Sequence, residues 1–218
     1  MRPSRSGDDA GQAFPIYITV VAGLLFLAFA YLAVGQAAAN RNGAQTAADA
    51  AALAAALDTR DQLAGMWVED VLDPTKWQDI FDGIGVEPGG CWRANELAAQ
   101  NDAAVEACDP AEPLGYTVTV ESTEPVGDSI VPGTEDVKSK ASATAVIEPR
   151  CTFELPGGGA GEAGDEAEPG DDNDVLPLPR LTCEEGASWD PDPEDPTTLP
   201  DPEDLFDVHL ADSQANDE

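Results

Sequence analysis

The chain has 218 residues, with 43 acidic against 10 basic side chains and a formal net charge of −33. Such a surplus of carboxylates excludes a nucleic-acid binder, whose phosphate partner would be repelled, and electrostatic docking on anionic lipid. A single histidine, His209, and the absence of any Cys-x-x-Cys pair argue against a structural zinc site, because zinc ligands usually come in close pairs.

Residues 1–13 read as a short cytoplasmic leader. An apolar run, Phe14–Val34, follows, and no charged residue occurs between Asp9 and Arg41. At about 1.5 Å per residue this run covers about 31 Å, the hydrocarbon thickness of a bilayer. A secretory signal peptide is the rival reading, and Ala37-Ala38-Ala39 resembles a cleavage site. Signal-peptide cores are usually about 7–15 residues, shorter than this run. Residues 14–34 are therefore expected to be a single transmembrane helix in contact with the lipid bilayer. Arg2 and Arg5 precede it and only Arg41 follows closely. By the positive-inside rule the N-terminus is cytoplasmic and the C-terminal portion extracytoplasmic, placing the protein in the cell membrane.

Residues 35–60 are alanine-rich and should continue the helix, since alanine has the highest helix propensity. Ala50, Leu53, Ala54 and Leu57 fall at i, i+3, i+4 and i+7 and form the expected packing stripe. The segment either docks closely on another helix or sheet or stands as a bare stalk. Docking is preferred, because Leu53 and Leu57 would otherwise be exposed together.

Residues 61–153 are read as a small extracytoplasmic α+β domain. Gly65 is expected to end or bend the helix, and Pro74 to split Met66–Phe81 into two short helices or turns. Gly83-Ile84-Gly85 and Pro88-Gly89-Gly90 read as turns. The stretch from Cys91 to Cys108 reads as mostly helical. Tyr116–Glu121 and Lys140–Glu148 alternate apolar and polar residues, as half-buried strands do, and an antiparallel pair with a long loop is the simplest arrangement.

Cys91, Cys108, Cys151 and Cys183 all follow the span, and an even number in an exported segment points to disulfides. An unbroken helix would hold Cys91 and Cys108 about 25 Å apart, so their pairing needs a chain reversal, which Asn101-Asp102 offers. Cys91–Cys108 with Cys151–Cys183 is the preferred pairing among the three possible connectivities.

Residues 154–218 carry 21 acids against one base, Arg180, with Gly and Pro throughout. They are expected to form a disordered acidic tail, because such a composition buries too little surface to offset chain entropy. Weak divalent cation binding by the tail is compatible with this charge. Leu205–Leu210 is an apolar island within it, either a docking motif or a chance cluster. No catalytic constellation is present: one histidine, no Gly-x-Ser-x-Gly and no phosphate-cradling loop. Neither an enzyme nor a cofactor or metal site is expected.

The order Gly11-Gln12-Ala13, an apolar helix, and then Arg41-Asn42-Gly43-Ala44-Gln45-Thr46-Ala47-Ala48-Asp49 running into alanines as far as Ala56 resembles the TadE/TadG-like proteins of tight-adherence (Flp-type) pilus systems, particularly those of high-GC Gram-positive bacteria. The resemblance covers about residues 11–57, and Val137–Arg150 fits more weakly. It implies an exported, pilin-like subunit or accessory factor that contacts other pilus-assembly or pilin-like membrane proteins, its helix supporting a small sheet domain. If Gly11 preceded a processing site, Ile16 would stand where pilin-type precursors carry glutamate, with Pro15 beside it. An accessory or minor subunit is therefore expected, with Gly11 uncut. The alternative is an anchored extracytoplasmic binding module whose acidic tail captures cations or wall components.

Overall fold

The computed structural model describes residues 13–87, 89–125, 136–155, 178–192 and 199–211. It is α+β, as expected. Helix α1 runs unbroken over Ala13–Glu69, 57 residues. Gly65 does not end it. Leu63, Ala64 and Trp67 continue its buried row past the glycine, and their burial outweighs the roughly 1 kcal/mol by which an interior glycine weakens a helix. Beyond α1, a 3₁₀ turn at Pro74–Lys76 leads into α2, Trp77–Phe81, the break expected at Pro74. Gly83 and Gly85 then turn the chain with φ of 74° and 88°, values that favour glycine.

Helix α3, Cys91–Gln100, packs on α1 through Ala94 and Ala98. Gly90 makes this approach possible: a Cβ there would stand 2.9 Å from the Cα of Ala55. The helix stops at Asn101, and Asp102, at φ 54°, reverses the chain. The residues from Ala103 onward, expected from sequence to be helical, instead form strand β1, Ala103–Pro110. Each of Ala103, Val105 and Cys108 packs in or against the core, so sheet pairing overrides the alanine-rich helix propensity.

Strands β2, Gly115–Ser122, and β3, Lys140–Pro149, pair antiparallel. Tyr116, Val118 and Val120 face the core from β2, and Ala145 and Ile147 from β3. This is the alternation read from the sequence. A fourth strand, β7, Phe206–Leu210, lies antiparallel to β3, giving the order β1-β2-β3-β7. A smaller sheet joins β4, Cys151–Phe153, β5, Leu181–Cys183, and β6, Ser188–Trp189.

The expected disordered tail from residue 154 is thus corrected for residues 178–192 and 199–211, which fold back onto the domain. Leu181, Leu205 and Phe206 are buried, and full burial of each such side chain contributes about 1.5–3 kcal/mol. Composition averaged over the tail hides these few apolar residues. Residues 156–177, 193–198 and 212–218, also assigned to the tail, lie outside the described residues.

α1 crosses one face of the four-stranded sheet, with α3 on its other flank. The core continues above into an aromatic cluster. Trp67 and Trp77 lie 5.2 Å apart, Trp77 and Phe153 5.2 Å, and Phe81 and Phe206 5.4 Å. Thr59, buried between helix and sheet, donates its hydroxyl to the Tyr116 oxygen at 3.1 Å, so neither polar group is left unpaired. Two disulfides fasten the domain: Cys91–Cys108, with Cα atoms 5.9 Å apart, and Cys151–Cys183, a directly opposed pair on β4 and β5.

Candidate functional site: the two halves of the long helix

In its first half α1 is clothed in large apolar side chains that are exposed among the described residues. Phe14 is 70% exposed, Leu24 63%, Phe29 57% and Tyr31 83%. It is the one helix among the described residues long and apolar enough to cross a membrane. Tyr17 and Tyr31 stand near the two ends of the apolar run, as interfacial aromatics do. Thr19 donates its hydroxyl to the Ile16 carbonyl at 2.8 Å, so this polar group is satisfied within the helix.

In its second half α1 turns a row of alanines to the sheet: Ala44, Ala47, Ala48, Ala51, Ala52, Ala55 and Ala56 are all at most 2% exposed. The expected stripe is therefore displaced. Ala50, Leu53 and Ala54 are half-buried and Leu57 is 38% exposed. Leu53 leans on the core, while Leu57 faces away from it. The physical reason is size. Where α1 is covered by the sheet and by α3 the buried residues are alanines, which permit close approach, and Leu57 is left to the flank. The signal available in sequence was the longer alanine row starting at Ala44, which the two leucines outweighed.

The four cysteines are joined within the chain and none is free. They hold α3 to β1 and β4 to β5, away from the lower half of α1. Among the described residues no three His, Cys, Asp or Glu side chains converge to hold a metal. His209 lies on β7 and its ring nitrogen is 3.0 Å from Asp207. Ion pairs are surface features. Glu106 accepts two bonds from Lys140 at 2.7 Å, which raises the pKa of that lysine. Asp70 does the same for Lys76 at 2.6 Å. A shallow polar depression of about 180 Å³ lies between Asn40 and Gly43 on α1 and Asp102, Ser122 and Glu124 beside it.

With this geometry in view, residues 11–58 match the family model described as Tad, putative Flp pilus-assembly TadE/G-like. The match begins just before α1 and ends on the alanine row, so the TadE/G-like segment holds the membrane-length half together with the part that seats the sheet. No curated protein and no solved structure matches the chain.

Proposed function

We propose that this protein is a membrane-anchored, pilin-like accessory or minor subunit in Flp/Tad-type pilus assembly, acting through protein–protein contacts rather than chemistry. The observation that carries the reading is the single TadE/G-like helix running from an exposed apolar segment into the core of a disulfide-fastened domain. A helix of this kind couples what happens in the bilayer to what the domain meets outside it. The disulfides support an extracytoplasmic domain, and Arg2 and Arg5 against Arg41 support a cytoplasmic N-terminus.

Ala50, Leu53, Ala54 and Leu57, which the fold leaves on the flank of α1, are the residues assigned to contact a neighbouring pilus-system helix. A photo-activated cross-linker at Leu57 in cells tests this. Adducts with pilus-assembly proteins are expected, and their absence, alongside adducts from unrelated membrane proteins, overturns the assignment. Mass spectrometry of the membrane-extracted protein tests the accessory role. An intact residue 11–12 bond is expected, and an N-terminus at Gln12 would return the protein to the processed pilins.

The rival reading, a binding module working through its acidic tail, cannot be separated by deleting residues 154–218. That deletion also removes β5, β6 and β7, and with them the burial of Leu181, Leu205 and Phe206.

A further inference from the structure

The four-stranded sheet has two edges of different construction. β1 carries a bulge at Glu106, between Val105 and Ala107, and ends in Pro110. Both devices blunt an edge against further pairing. β7 has neither. The Ala211 N–H donates to the Thr144 carbonyl and the Arg150 N–H to the Leu205 carbonyl, each at 2.8 Å. With the printed register, these bonds turn the backbone groups of 205, 207, 209 and 211 toward β3. Those of Phe206, Val208 and Leu210 therefore point away from β3. Among the described residues, β3 is the only strand beside β7.

The charges at this edge are unbalanced. Glu148 and Asp207 stand directly opposite one another, both exposed, and like charges so placed repel. Asp207 meets only the His209 ring, and Glu148 has no ion pair among the described residues. A basic side chain on a further strand, opposite Asp207, would relieve the repulsion. On the other face Phe206 is buried and Val208 and Leu210 half-buried, so an apolar side chain there would extend the core.

A second copy of the chain does not fit as the occupant. α1 runs in the same direction as β3: Gln45 lies against Ser142, and Thr59, farther along, against Tyr116, the partner of Ala145. Two β7 edges paired antiparallel about a two-fold axis would reverse one α1 relative to the other, turning its apolar half away from the membrane that holds the first.

We infer that the β7 edge receives an extended segment of a partner protein, with apolar and basic side chains alternating, as an added strand. Hydrogen exchange over residues 206–210 of the full-length protein in detergent micelles tests this, with a synthetic heptapeptide alternating Val and Lys as probe. The Val208 and Leu210 amides should exchange about tenfold more slowly or less with the probe bound, as newly hydrogen-bonded edge amides do. An alternating Val and Glu peptide, and a Val and Lys peptide with its lysines grouped, should have no such effect. Val208→Pro removes an outward N–H while leaving the β3 ladder intact, and it should abolish the slowing at the Leu210 amide. Asp207→Lys, a change on the exposed face, should shift the preference toward the Val and Glu peptide. The proposal is overturned if no slowing is seen. It is equally overturned if the grouped-lysine peptide slows exchange as well, meaning general attraction to an acidic protein, or if Asp207→Lys leaves the preference unchanged.

Discussion

The lower half of α1, residues 14–40, and the upper half, residues 41–69, belong to one helix and solve opposite problems. Below, bulky side chains such as Phe26, Leu27 and Phe29 point outward and are exposed among the described residues. Above, alanines lie flat under a sheet. The lower half carries no charge, whereas the upper half carries Arg41, Asp49, Asp58, Arg60, Asp61 and Glu69 and buries a row of small side chains in place of large ones. Lipid tails adapt to any shape, whereas a sheet is rigid and is met at closest approach only by small residues.

The sharpest way to break this comparison is to remove what the upper half packs against. A chain ending before residue 199 loses the short helix Pro202–Leu205 and β7 and uncovers Phe81 and Ile147. It is expected to reach the membrane yet be degraded by an added protease, where the full chain resists. Next in size is Trp67→Ala, which empties the largest buried position on α1 and should lower stability by about 3–5 kcal/mol, read as a fall in denaturation midpoint in detergent. In the lower half the decisive change is charge. Leu25→Arg should disfavour insertion by about 2.5–3.5 kcal/mol, visible as protein released by a carbonate wash.

A matched pair sharpens the contrast further. Ala55→Leu, set against Gly90, should destabilise the domain by about 1–3 kcal/mol through overpacking. Ala28→Leu, the same change in the lower half, should shift stability by less than about 0.5 kcal/mol, as exposed sites do. Equal melting temperatures for these two variants would erase the distinction. The smallest effect is expected of Leu57→Ala, on the flank of the upper half. It should change stability by under about 1 kcal/mol, as partly exposed positions do, while reducing any cross-link to a partner helix.

Much of this was legible in the sequence because the signals were local. The span, the helix beyond it, the break at Pro74 and the alternation in β2 and β3 each rest on neighbouring residues. The face that α1 buries was not. A leucine and an alanine differ in sequence by hydrophobicity, and that favoured Leu53 and Leu57; close packing by the sheet and α3 buries Ala48, Ala51 and Ala55 instead. β1 was hidden by alanines that would also suit a helix. β7 was hidden by its surroundings: Phe206 and Val208 sit among acids and prolines, and only pairing with β3, more than fifty residues earlier, gives them a place.

In the topology proposed above, that last pairing would set an order of events during export. The apolar half of α1 is made first and would lodge in the bilayer while the rest of the chain was still threading through. β1, β2 and β3 can assemble as they emerge, but the slot beside β3 stays open until residue 210 has crossed. For that interval Ile147 and Phe81 lack their cover, so the unfinished domain is a client for whatever holds chains on the far side of the membrane. Delay in translocation would be felt here before anywhere else in the molecule.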